Sequence, residues 1–234
     1  MPLLPTSTAY ARELRLLQER LVLMASLVEE LVRHGLEALR AGDAELAARS
    51  IELDRRIDGL ECEVDALCMR ILAMRQPVAT DLRFVTSSLK IVTDLERVGD
   101  LGVNLCERVI ELADERVRER RHTVEGPLRD ELSSLADESM AALRDALDAL
   151  VERDAEQALA LLRRDASIDE RYARLFRLLL AEMARDPGAV YLATRVQSVA
   201  KYLERIADHA MNVAEAVVFL VKGKDIRHFE GIRP

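Results

Sequence analysis

Four pairs of acidic residues recur four positions apart along this chain: Asp54 with Asp58, Glu96 with Asp100, Asp165 with Asp169, and Glu204 with Asp208. The second and fourth pairs carry an asparagine four positions further on, Asn104 and Asn212. Four residues turn an α-helix through about 400°, so positions i, i+4 and i+8 form one row that drifts by only about 40° per step. Neighbours in such a row lie about 5–6 Å apart at Cβ. Carboxylates held at that spacing repel one another, and a cation between them removes the penalty. The donors are almost all oxygen, and no His or Cys recurs at matching positions. Such a set favours Mg²⁺, Mn²⁺, Ca²⁺ or iron over thiolate-type zinc sites. Carboxylates also bridge metals, so each row has room for more than one ion.

The rows belong to an internal repeat. Residues 95–112, LERVGDLGVNLCERVIEL, return at 203–220 as LERIADHAMNVAEAVVFL, with an offset of 108. Alongside the polar row, each copy keeps an apolar heptad seam, at 91, 95, 98, 102, 105, 109 and 112 and again at 199, 203, 206, 210, 213, 217 and 220. That spacing packs a helix against partner helices. Gly102 and Ala210 share one seam position, where a small residue allows close approach. Upstream, Asp43-Ala44-Glu45 repeats as Asp154-Ala155-Glu156, which sets an offset of 111 for the helices carrying Asp54/Asp58 and Asp165/Asp169.

Six helices must position these residues. The first runs over 8–40, with Leu14, Leu17, Leu21, Met24, Leu27, Val28, Leu31 and Leu39 at 3/4 spacing and Gly35 as a tolerated weak point. Asp43 caps the second, which runs to residue 75 on the seam Leu53, Ile57, Leu60, Val64, Leu67, Ile71 and Met74 until Gln76-Pro77 stops it. Thr80 caps the third, which ends in a charged run over 114–121. Residues 123–127 read as a linker; a fourth helix covers 128–153, Asp154 caps the fifth, and Asp186-Pro187 opens the sixth, ended by Lys222-Gly223. The fold class is all-α: two tandem three-helix bundles, residues 1–122 and 123–234, related by duplication. Antiparallel neighbours then bring Asp58 level with Asp100, and Asp169 level with Asp208. Four carboxylates converge in each half, with an amide nearby.

Other features bound the function. A net charge of −8 opposes a nucleic-acid role, which needs a basic face. The N-terminus lacks the basic start and apolar core of a signal peptide, and no apolar run approaches the roughly 20 residues needed to span a bilayer. Cys62, Cys68 and Cys106 read as buried free thiols of a reducing compartment. Glu107 and Glu215 also repeat but sit on another flank and read as exposed; Glu61 is set aside because its repeat partner is Tyr172; His209 points about 100° from the acidic row and reads as a surface residue. Acidic i, i+4 pairs are common on solvated helices, and Arg55, Arg56, Arg97 and Arg205 could pair with them. Four pairs in register in two halves weigh toward metal. A carboxylate-bridged di-metal enzyme uses E-x-x-H on two helices, and here Glu119-x-x-His122 occurs once. A metal-free helical scaffold is the remaining alternative.

The phrases DLERVGDLGVN at 94–104 and YLERIADHAMN at 202–212, the acidic pairs, and PVATDLR at 77–83 together resemble the PhoU family of bacterial phosphate-uptake regulators, over nearly the whole chain. The resemblance implies cytoplasmic two-bundle proteins that hold multinuclear iron or zinc clusters at these pairs. It assigns as ligands Asp54, Asp58, Glu96 and Asp100 in the first half, and Asp165, Asp169, Glu204 and Asp208 in the second. It further implies negative regulation of phosphate uptake and starvation signalling, through the ATPase subunit of the phosphate ABC transporter and a phosphate-sensing histidine kinase. Homodimers occur in the family, and membrane association comes only through partners. Helix two and helix five supply Asp where Glu is also permitted, and a shorter ligand bears on metal choice.

Overall fold

The computed structural model describes residues 8–119 and 124–226. The first repeat is α1 (Thr8–Ala41), α2 (Ala44–Ile51), α3 (Asp54–Arg75) and α4 (Ala79–Glu119). The second is α5 (Gly126–Glu152), α6 (Ala155–Leu162), α7 (Asp165–Arg185), a 3₁₀ turn (Pro187–Ala189) and α8 (Val190–Lys222). Among the described residues there is no strand. Asp43 and Asp154 cap α2 and α6 alike, each accepting two backbone N–H groups at 2.8–3.0 Å. Those bonds satisfy donors that have no partner inside the helix. Gly223, at φ 67°, closes α8 in the left-handed conformation.

The second and fifth expected helices are each broken immediately before the first residue of the acidic pair, at 52–53 and 163–164. Glu52 N and Leu53 N bond to the carbonyls of Arg49 and Ser50, three residues back rather than four. Arg164 N makes the same bond to Leu161. Such tightened turns interrupt the α-helical ladder and redirect the chain. The backbone there stays in the right-handed region, at φ −65° and ψ −17° for Glu52, and no Gly or Pro marks it. The consequence is that Asp54 and Asp165 become the first residues of new helices, α3 and α7. A carboxylate at that position faces the positive end of the helix dipole.

Both repeats share one hydrophobic core. All fourteen seam positions of α4 and α8 are buried, and the two helices pack on each other across the duplication. This central pair carries the Glu/Asp rows on its outer flanks. Four local expectations are corrected. Met74 is exposed, because the last turn of α3 extends past the core. Cys62 is exposed, two residues off the buried stripe Ile57, Leu60, Val64, Leu67 and Ile71, while Cys68 and Cys106 are buried. Thr80 does not cap α4, which starts at Ala79. The fourth predicted helix begins at Gly126, with Pro127 in its first turn. The expected boundary at 122/123 and the Glu119-x-x-His122 motif lie at or outside the limits of the described residues.

Two glycines make opposite predictions. A Cβ at Gly102 would lie 2.9 Å from Leu31 Cγ, inside contact distance in a buried helix crossing. Gly102→Val should therefore destabilise the protein by about 1–3 kcal/mol through overpacking. A Cβ at Gly59 would meet nothing within 4 Å. Gly59→Ala should stabilise α3 by about 0.5–1 kcal/mol, because Ala loses less backbone freedom on folding. Urea melts of the two variants measure both signs at once.

Candidate metal centres

The first cleft lies where α3 runs antiparallel to α4. Gly99 admits the neighbouring helix: a Cβ there would lie 3.4 Å from Ile57 Cγ2 and 3.8 Å from Asp54 Oδ1. Asp54 thus stands over α4 at the level of Asp100. Its carboxyl is raised above the ordinary range by partial burial and by the charges of Asp58 and Asp100. Glu96 is raised by burial first and then by the charges of Asp100 and Glu61. Glu61 is itself raised by burial, then by Asp65, Asp58 and Asp100. The residue set aside from the repeat comparison therefore faces the row. Arg97 lies on the solvent rim, 3.2 Å from Asp100 Oδ2 and 3.4 Å from Glu96 Oε2.

The second cleft is its counterpart between α7 and α8. Asp208 keeps an exposed edge, yet its carboxyl is pushed up to about 6 by partial withdrawal from water, then by Glu204, Asp169 and Asp165. Lys201 acts in the opposite direction on Asp208. Its Nζ lies 2.5 Å from Glu204 Oε2 and 5.2 Å from the centre of the Tyr172 ring. The Tyr172 hydroxyl accepts from Gln197 Nε2 at 3.3 Å.

These shifts have a pH consequence for metal-free protein. A carboxyl whose folded value is raised favours folding fully below its unfolded value and loses that contribution as pH rises through the folded one. For Asp208 the window runs from 3.8 to about 6. In chelator, the melting temperature should therefore fall across that window, and Asp208→Asn should flatten the fall. Melting scans at pH 4.5 and 7 provide the comparison. An unchanged slope in the variant would show that the crowding is not felt.

The donor set fits a hard cation: carboxylate oxygens from two helices, already mutually repelling, at the same register in both halves. Among the described residues no three His, Cys, Asp or Glu side chains are closed around one point. The carboxylates instead turn partly toward Arg97 and Lys201. The amides are engaged differently. Asn104 Nδ2 donates to the Asp100 carbonyl at 2.8 Å. Asn212 Nδ2 donates to Asp94 Oδ1 of the first repeat at 3.0 Å. His209 is not a surface residue: its Nδ1 lies 2.8 Å from the same Asp94 oxygen, and the pair is only 18% exposed on each side. Glu215 is also buried, beside that junction, because α8 is covered on several flanks, whereas Glu107 is exposed. Asp94 was invisible as a partner because its repeat position is Tyr202, so the duplication gave no signal for it.

Comparison with known proteins gives the lineage. A family model described as the PhoU domain matches twice, at residues 21–109 and 132–217. The chain is 37% identical over 222 residues to the phosphate-specific transport system accessory protein PhoU homolog of Pseudomonas putida, covering 95% of this chain and 84% of that protein. Its structure superimposes on crystal structures of PhoU from Pseudomonas aeruginosa (TM-score 0.86, 35% identity, 92% of this chain and all of that one) and of the phosphate transport system regulatory protein PhoU from Streptococcus pneumoniae (TM-score 0.81, 28% identity, 92% and 98%). These relatives are named as accessory or regulatory proteins, not as enzymes. Two matches in tandem, on an all-helical architecture of the same shape, place this chain in the PhoU family.

Proposed function

We propose that this protein is a metal-binding regulator of phosphate uptake, a non-enzymatic adaptor that restrains the phosphate transporter and the starvation response. The observation that carries the reading is the pair of carboxylate clefts at equivalent places in the two repeats. Asp54, Asp58, Glu96 and Asp100 would hold cations in one, and Asp165, Asp169, Glu204 and Asp208 in the other. Asn104 and Asn212 lie one turn beyond each row. Multinuclear iron or zinc suits the reading, and Mn²⁺ or Mg²⁺ suits the oxygen donors. Bound cations supply positive charge that cancels the repulsion within each row and could accept a phosphate oxygen.

The partners in this reading are the ATPase subunit of the phosphate ABC transporter and a phosphate-sensing histidine kinase, met in the cytoplasm, with a homodimer as the assembled form. Among the described residues no helix is long and apolar enough to cross a membrane. The test is genetic. Deleting the gene should leave a phosphate-starvation reporter on in phosphate-replete medium. The wild-type gene should restore repression, and one with Asp58, Asp100, Asp169 and Asp208 all changed to Ala should not. A deletion strain that still represses fully would sink the regulatory reading.

A further inference from the structure

The two clefts differ at two positions that touch the rows. In the α3 register, Glu61 of the first repeat is replaced by Tyr172 in the second; in the α4 register, Thr93 is replaced by Lys201. The exchanges meet in space. Lys201 rests against the Tyr172 ring and reaches the Glu204 carboxylate, while Glu61 stands one helical turn beyond Asp58 on the same face of α3. Thr93 has no equivalent reach, since its hydroxyl donates to the Leu89 carbonyl within its own helix. Both halves carry an arginine at this position, Arg97 and Arg205, so the formal charge count of the clefts differs by Glu61 and Lys201 alone; in the structure it is Arg97 that pairs with its row, 3.4 Å from Glu96 and 3.2 Å from Asp100.

We propose that the clefts are non-equivalent cation sites: the α3/α4 cleft, with Glu61 as a fifth carboxylate, fills first, and the α7/α8 cleft carries the Lys201 ammonium as a built-in competitor for one cation position. The inference rests on the metal-binding reading above and deepens it. Affinity of oxygen sites for hard cations follows the count of charged ligands, so a gained carboxylate and a gained ammonium pull the two sites apart. The ammonium contributes a single positive charge from a flexible stem, so a divalent ion displaces it at a cost in affinity rather than being excluded. The Tyr172 ring raises that cost by holding the cation over its face. The second cleft would then load only at higher free metal, which makes its occupancy the variable one.

The test is calorimetric titration of the metal-free full chain with Mn²⁺, with bound metal counted by elemental analysis. Wild type should show two classes of site separated by about tenfold or more, the factor that one charged contact of ~1.4 kcal/mol supplies. Asp58→Ala with Asp100→Ala should remove the tight class, and Asp169→Ala with Asp208→Ala the weak one. Lys201→Thr should tighten the weak class, Glu61→Gln should weaken the tight class, and Tyr172→Glu with Lys201→Thr should merge the two. Unheated circular dichroism of each metal-free variant confirms that it is folded. A single class in wild type, unmoved by Lys201→Thr and Glu61→Gln, overturns the inference and leaves the metal reading standing. No binding in wild type overturns both.

Discussion

Protein carrying Asp100→Ala and Asp208→Ala is expected to lose its metal and, with it, the thermal stabilisation that metal gives the wild type. A ligand that binds only the folded state at a hundred times its dissociation constant adds about 2.7 kcal/mol. For a chain of this size that is roughly 5–10 °C in melting temperature. The same variant should melt at or above wild type in chelator. Each substitution removes one carboxylate from a row whose members raise one another's protonation. The Arg97–Asp100 pair lost with it is half-exposed and worth little. Asn104 keeps its bond, because it uses the Asp100 backbone carbonyl. The crossing of the two curves is the signature, and melting scans with Mn²⁺, with Zn²⁺ and with chelator measure it. A variant that melts lower than wild type under every condition would make the carboxylates structural and return the rows to ordinary surface charge.

The second large effect lies in the core between the clefts. Leu203 is fully buried on α8, next to Glu204, and Leu95 occupies the same place on α4 next to Glu96. Leu203→Ala should cost about 2–5 kcal/mol, the lost transfer energy plus a cavity that close-packed helices cannot collapse. The melting temperature should fall by roughly 10 °C. Leu180→Ala, on the half-exposed face of α7, should stay within about 0.5 kcal/mol. Because a single cluster joins both repeats, Leu203→Ala should lower one cooperative transition. Two separated transitions in denaturant would mean that the repeats are held together more loosely than their shared core implies.

The placement of the acidic rows was legible before the fold was known, and the reason is geometric. Side chains four apart on a helix share a face whatever the helix packs against. The heptads of α4 and α8 and the duplicated offsets therefore located both rows and both seams. The Asp43 and Asp154 caps followed from side-chain chemistry as local as the helix itself. The breaks before Asp54 and Asp165 were hidden because they involve no Gly, no Pro and no unusual dihedral, only a change from four-residue to three-residue hydrogen bonding. Glu61 was hidden for a different reason. Duplication reveals what two halves share, and Glu61 matters where they differ.

The amino-acid sequence by itself determined where the long helical stretches lie, the duplication, the acidic rows and the family, because each rests on periodicity or on residues adjacent in the chain; the breaks that split two of those stretches it did not show. Only the tertiary structure decided that α4 packs on α8 to give one core, and that Asp94 receives both His209 and Asn212 from the other repeat. It alone put Lys201 on the Tyr172 ring beside Glu204. Those contacts join residues about 30 to 118 positions apart, or depend on which flank of a helix a neighbour covers. No local pattern encodes that choice; the packing of apolar faces makes it, and the polar contacts follow where the packing brings them together.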